Sequence, residues 1–241
     1  SADSDMPMTK VLRDFIRPQI EVERTDYGLR LFALRRISEA SMHVRVTNLL
    51  FPQAFVIPLS AEMTITQWHV PIDDTSCYWY AIFTSFSSAV DKVQMRAQRL
   101  ELYTLPDYMP RVNKANHYGF DAQEQKTQTY TGMGADINVH DQWAIEGQGP
   151  IQDRTREHLG STDKAIINYR SMLMKDIEQA ESGNEERPLM VLDQATAKTI
   201  RGPVTVDGIA PAASWQAYWR DVDARKRQKA PWQAPDAQAA E

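Results

Sequence analysis

The sequence predicts an α+β domain, in which an antiparallel sheet of about six or seven strands is followed by a long C-terminal helix packed across one face. Three observations predict it. Short runs of alternating apolar and polar residues crowd the segment from Gln19 to Phe83. The connections between those runs are too short for the crossovers that parallel strands need, so the pairing is antiparallel. A stripe with helical period then runs from Asp163 to Ala180, after the strands rather than between them.

Residues 1–18 are polar and then amphipathic, and read as an N-terminal arm. Gln19 to Arg24 alternates with Ile20 and Val22 apolar; Tyr27-Gly28 signals a turn; Leu29, Leu31 and Ala33 then alternate with polar neighbours. His43 to Leu50 continues as a strand with Val44 and Val46 on one face. Phe55 to Leu59 and Met63 to Val70 are further strands, and Ser76 to Phe83, aromatic and β-branched, is expected at the sheet centre. Ser87 or Ser88 caps a helix carrying Val90, Val93 and Ala97. Residues 104–138 are mostly loop, and Asp141 to Gln148 is a short helix or turn that stops at Gly147-Gln148-Gly149-Pro150. In the long helix Ser161 or Thr162 is the cap, Ile166, Tyr169, Leu173 and Ile177 form the apolar stripe, and Ser182-Gly183-Asn184 ends it. A last helix near Trp215 to Arg227 buries Trp215, Trp219 and Val222. The expected organisation is thus an arm at 1–18, one domain at 19–228 and a disordered tail at 229–241.

Bulk composition excludes several functions. The net charge of −5 gives no basic surface for nucleic acid. A single cysteine, Cys77, permits no internal disulfide, which fits a reducing, cytoplasmic compartment. Its setting in Ser76-Cys77-Tyr78-Trp79-Tyr80 reads as that of a buried small hydrophobe. No apolar run approaches the roughly 18 residues that would span a membrane, and Ser1 to Lys10 is polar and acidic, unlike a secretory signal. Neither a Gly-x-Ser-x-Gly nucleophile motif nor a phosphate loop is present.

Among the five histidines no two stand three to five residues apart, so no local pair of metal ligands lies on one helix face. Each reads as a surface or hydrogen-bonding residue. Asp73-Asp74 after Pro71 reads as a turn. Asp141 is followed by Trp143, Glu146 and the Gly-Gln-Gly-Pro break, a setting that suits either a helix cap or a functional acid.

The run His140-Asp141-Gln142-Trp143-Ala144-Ile145-Glu146-Gly147-Gln148-Gly149-Pro150-Ile151 continues through Asp153-Arg154, Glu157-His158-Leu159-Gly160 and Ser161-Thr162-Asp163. It resembles the catalytic domain of phthalate 4,5-dioxygenase-like Rieske oxygenases. Asn116-His117-Tyr118-Gly119-Phe120-Asp121 and Val70-Pro71-Ile72-Asp73-Asp74-Thr75 resemble two further segments of the same group, in the same order. Where Gln is usual before the acid, this chain has His140. The resemblance spans about residues 20 to 180 and implies a helix-grip-like fold. It also implies mononuclear non-haem Fe(II) held by two histidines and one carboxylate, and it makes Asp141 that carboxylate. The family's histidines come from a segment just before the sheet, and residue 1 falls about where that segment ends. Two cysteines and two histidines would be needed for the family's 2Fe-2S Rieske cluster, and one cysteine cannot supply them. The expectation is therefore a catalytic-domain fragment, inactive and without iron when alone.

In the longer protein that the resemblance implies, an aromatic substrate is hydroxylated on its ring, or an aryl ether is cleaved, with O2. Electrons reach the iron from an NAD(P)H-dependent reductase, and the assembly is a homotrimer. Asn48, Trp79 and Phe83 either point into a substrate cavity under the sheet or pack its core. Asp153, Arg154, Glu157 and His158 read as a polar network at the helix entry. The rival reading is a non-catalytic module that binds small apolar molecules on the same fold.

Overall fold

The computed structural model describes residues 8–183 and 205–230. They gather into two compact units, one from the described parts of 1–71, 77–89 and 158–241, the other from 72–76 and 90–157. The span 19–228, expected as one domain, is distributed over both. The tail beyond Ala230 lies outside the described residues.

The first unit holds a short helix α1 (Met8–Asp14) and six consecutive antiparallel strands: β1 (Gln19–Thr25), β2 (Gly28–Arg36), β3 (Ser41–Leu50), β4 (Ala54–Pro58), β5 (Met63–Pro71) and β6 (Cys77–Ser85). Alternation is clearest in β4, while β3 in the middle of the sheet is buried on both faces. In β4 every second residue, Ala54, Val56 and Pro58, is buried. The β1–β2 turn needs Gly28, whose φ is +142° and where a Cβ would collide with the Leu49 carbonyl oxygen across the ladder.

A seventh strand completes the sheet (β9, Val206–Pro211, numbered after two short strands of the other unit). It pairs with β3 from Ser41 to Val46, beside the place where β4 pairs with Asn48 to Leu50. Both therefore share one edge of β3, whose other edge carries β2. Helix α6 (Trp215–Lys229) follows β9 after a single 3-10 turn.

The registers sort side chains onto two faces. Phe32, Leu34, Met42, Val44, Val46, Val206 and Ala210 point to one, where they pack with Trp215 and Trp219 of α6. The Phe32 ring lies 5.4 Å from each indole. Burying side chains the size of Val44 and Val46, both fully inaccessible, stabilises by about 1.5–3 kcal/mol each. The opposite face carries Leu29 and Leu49, which pack on Met172 and Tyr169 of α5 (Lys164–Glu181). The long helix thus lies across one face as expected, and the last helix covers the other.

Three expectations are corrected. First, β6 is an edge strand, not a central one, with Tyr78, Tyr80 and Ile82 exposed on its α6-side face. Its aromatic content reflects surface rather than core. Second, Cys77, at the start of that edge, is exposed. Third, the buried line of α5 centres on Met172 and Tyr169, while Ile166 and Ile177 of the expected stripe remain 42% and 41% exposed.

Two polar clusters fasten the late elements to the sheet. Asp207 of β9 is inaccessible; its Oδ1 lies 2.7 Å from His43 Nε2, and its Oδ2 accepts from Arg45 Nη1 at 2.5 Å. Arg45 also donates to the Pro58 carbonyl. On α6, Lys226 is buried, donates from Nζ to the Thr205 carbonyl at 2.9 Å and lies 5.3 Å from the Phe86 ring centre. Burial lowers the Lys226 pKa, against the pull of Glu62, Asp207 and Asp223.

Removing a buried charge while its partners remain is costly. Asp207→Ala should lower unfolding free energy by about 3–5 kcal/mol in urea titrations. Asp221→Ala, which breaks an exposed i,i+4 pair with Arg225, should cost about 0.5 kcal/mol or less.

Candidate active site

The second unit presents Asp141 on helix α4 (Ile137–Glu146). Before it come α2 (Lys92–Leu102), the short strands β7 (Tyr103–Thr104) and β8 (Met109–Pro110), and α3 (Ala122–Thr127). Asp136 is the N-cap of α4 and accepts from the Asn138 amide, so Asp141 lies past the first turn and is not a cap. Val139 is buried against Tyr118 and Met133. One turn on, Gln142 donates to Glu146, and Glu146 also accepts from the Tyr118 hydroxyl at 2.5 Å. Burial, then the adjacent Glu146 carboxylate, pushes the Tyr118 phenol up to about 12, so it remains a donor.

These contacts set the rotation of α4. Ile137, Asp141, Ala144 and Ile145 share the other side at i, i+4, i+7, i+8 spacing. Ile137 and Ile145 are 61% and 62% exposed, which frames Asp141 in apolar surface. Its carboxylate makes no hydrogen bond or ion pair among the described residues. Partial desolvation raises its pKa, His140 counters this, and Asp136 adds to it.

His140 is turned away, as its adjacency to Asp141 requires. Its Nε2 lies 2.9 Å from the Gly134 carbonyl and 3.0 Å from Thr131 Oγ1. A carbonyl only accepts, so Nε2 carries a proton and is no ligand. Among the described residues no three His, Cys, Asp or Glu side chains converge as a metal would require. One carboxylate alone does not fit iron.

The Asn116–Asp121 segment does local structural work. Asn113 and Asn116 form a capping box, while His117 and Tyr118 adopt left-handed backbone. Asp121 then caps α3 through the Gln123 and Glu124 amides. Asp153 caps a further 3-10 turn, and Gln152 donates to Glu157. Asp73 accepts from the Thr75 amide in the expected turn.

The registers divide the three pocket candidates. Asn48 aligns with Val56, Thr66 and Ile82, on the α6 side of the sheet; it is fully buried, and its Oδ1 accepts from the Tyr27 hydroxyl. Trp79 and Phe83 point to the α5 side, aligned with His69 and Ile65. Those two share a face, four residues apart along β6, and Asn48 lies on the other face. The structure adds Phe55 and His69, whose rings continue the row at centroid spacings of 5.6 and 6.2 Å. The sequence signal for them was alternation in β4 and β5, which assigns Phe55 and His69 to one face once the register is known.

The antiparallel sheet carries a long helix on one face, and Asp141 stands on a helix of the other unit. The chain belongs to the family described as LigXa C-terminal domain like, which matches residues 12–240; it is a Rieske oxygenase C-terminal catalytic domain. It is 28% identical over 219 residues to the phthalate 4,5-dioxygenase oxygenase subunit of Pseudomonas putida, covering 86% of this chain and 47% of that one. To the 3-chlorobenzoate-3,4-dioxygenase oxygenase subunit of Comamonas testosteroni it is 25% identical over 191 residues, covering 72% of this chain and 44% of that one. The chain therefore spans a little under half the length of these relatives. Among the described residues no helix is long and apolar enough to cross a membrane.

A carboxyl whose folded pKa is raised is charged more easily in the unfolded chain. Asp141 then costs stability above its unfolded pKa, and the cost vanishes at low pH, where both states are protonated. Asp141→Asn should melt higher than the native chain at pH 7, the gap closing as pH falls through about 3.8. A gap that widens on acidification would reverse the sign. Tyr118→Phe, which strips Glu146 of its buried donor, should cost about 1–3 kcal/mol.

Proposed function

We propose that this chain is the carboxylate-bearing catalytic part of an aromatic-ring oxygenase, with Asp141 as the protein's acidic iron ligand. The observation that carries the reading is the state of Asp141. It lies on an exposed helical face among apolar neighbours, unpaired among the described residues, in a chain whose relatives are dioxygenase oxygenase subunits. An acid left without an internal partner is available to a cation.

In this reading two imidazoles come from outside the described residues, and the Fe(II) so held supplies O2 activation. The residues in hand perform the other tasks. Tyr118 and Glu146 fix the rotation of α4 and hence the direction of Asp141. Within the first unit the row Phe55, His69 and Trp79 is a candidate surface for an aromatic ring; the reaction proposed for the whole protein is hydroxylation of the ring or cleavage of an aryl ether. Electrons come through a 2Fe-2S Rieske centre from an NAD(P)H-dependent reductase, in a cytoplasmic homotrimer.

A non-catalytic binding module on the same fold is favoured by one feature. The aromatic row is complete within the described residues, whereas the metal donor set is not. Metal analysis separates the readings. The chain alone should hold far less than one Fe(II) per molecule. Extended upstream to include the expected histidine segment it should hold close to one, and Asp141→Ala should abolish that. Full iron occupancy in the Asp141→Ala protein would remove Asp141 from the ligand set. An extended protein that binds aromatic compounds and no iron would establish the binding module.

A further inference from the structure

The polar cluster that holds β9 to the sheet has hydrogen bonding left over. Arg35 of β2, His43 and Arg45 of β3, and Asp207 of β9 fall in register on the α5 side. Arg35 and His43 stand directly opposite each other, which puts their Cβ atoms about 4.5–5.5 Å apart. Both oxygens of Asp207 are occupied, Oδ1 by His43 Nε2 and Oδ2 by Arg45. Arg45 turns its other arm to the Pro58 carbonyl. Arg35 donates from Nε to the carbonyl of Phe15, just past α1. Two buried atoms remain without a partner, Arg35 Nη1 and His43 Nδ1. His43 is 1% exposed, and buried polar atoms are almost always hydrogen-bonded.

The chemistry of these two atoms differs. A guanidinium nitrogen only donates. His43 Nε2 lies 2.7 Å from a carboxylate oxygen, which only accepts, so Nε2 carries the ring proton. In that singly protonated ring Nδ1 accepts. The two atoms are therefore complementary, yet they are not bonded to each other. What bridges them must accept at Arg35 and donate at His43. Charge adds a third requirement. Two guanidiniums face one carboxylate, which leaves an excess of one positive charge. Burial, then the Arg45 charge, lowers the Arg35 pKa, with Asp207 opposing. A guanidinium nonetheless stays charged.

We propose that Arg35 and His43 form a buried site for a small monovalent oxyanion that carries its own hydroxyl, of the hydrogencarbonate class. One oxygen accepts from Arg35 Nη1, and the hydroxyl donates to His43 Nδ1. Water meets the two hydrogen bonds and leaves the charge unbalanced. Nitrate has the charge and the planar shape and lacks the hydroxyl. Bound in this place, the anion balances the charge around Asp207 and so supports the pairing of β9 with β3. The site goes beyond the proposed function and involves neither Asp141 nor iron.

The test is calorimetric titration of the chain with sodium hydrogencarbonate, nitrate and chloride at matched ionic strength, in slightly alkaline buffer, beside thermal melting. Hydrogencarbonate should bind at a single site and raise the melting temperature progressively with its concentration. Nitrate should bind about tenfold more weakly, equivalent to about 1.4 kcal/mol, and chloride more weakly still. Arg35→Met keeps the apolar stem, removes the donors and should abolish binding. His43→Gln keeps an amide donor for Asp207 and removes Nδ1, so hydrogencarbonate should fall to the level of nitrate. Where either variant fails to fold, the order of the three salts on the unaltered chain decides. An equal response to all three, nitrate binding as tightly as hydrogencarbonate, or no binding at all would overturn the proposal.

Discussion

Asp207 carries a carboxylate that water does not reach, and the arrangement of the sheet keeps it paired. It comes from the last strand, while both partners, His43 and Arg45, come from β3. An ionised carboxylate in such a place is tolerable only with good geometry on both oxygens, and each oxygen has its own partner. The pairing therefore fixes β9 against the middle of the sheet in one register. Because α6 follows β9 after a single turn, the two indoles that seal the Phe32 core are placed by the same contact. Lys226 then ties the far end of α6 to Thr205, the residue just before β9. Strand and helix are clamped at both ends, and the core between them is positioned by polar contacts that flank it.

That arrangement explains what was legible in the sequence. β4 announces itself by a clean period of two, with every second residue buried, whereas β3 is buried on both faces and shows its period only through residues such as Val44 and Val46. β9 shows no such period: Val206-Asp207-Gly208-Ile209-Ala210 puts a carboxylate on one face and a glycine on the other, so neither reads as a buried line. Its partners lie 162 and 164 residues away, and no local pattern reports a contact of that range. β6 misled in the opposite sense. Its aromatic residues suggested a centre, yet aromatic side chains also serve at an edge, and Tyr78 and Tyr80 do so here. In α5 the stripe was found at the right period with its phase slightly wrong, since Met172 carries the buried contact that Ile166 and Ile177 were expected to share.

The candidate site was legible by a different route. Nothing in spacing or composition separates Asp141 from a helix cap, and only the longer run from His140 to Asp163 marks it. The structure supplies the physical difference, for the capping role is already filled by Asp136. The companion run Asn116 to Asp121 proved to be a piece of local geometry, in which capping, left-handed backbone and a buried tyrosine together present the hydroxyl that holds Glu146. The two motifs thus belong to one construction, the first fixing the helix that the second displays. Asn48, read as either a pocket or a core residue, is buried in the core, and the sequence left that open for a simpler reason. Alternation tells which residues share a face within one strand, but matching faces between β3 and β6 needs every intervening register.

A sheet with a helix on each side must divide its labour between faces, and here the division is chemical. Around Phe32 the α6 side is packed by aliphatic and indole contacts, and Asn48 on the same face is paired with Tyr27, while Tyr78, Tyr80 and Ile82 of β6 leave its outer part exposed. The α5 side carries His43, Arg45, Asp207, His69 and Trp79 in addition to its apolar residues. Side chains on a strand alternate with a period of two, so each position can be tuned for one face without disturbing the other. Both faces therefore contribute to stability, the α6 side through the Phe32 cluster and the α5 side through the Leu29–Met172 contact and the buried pairing of Asp207 with His43 and Arg45.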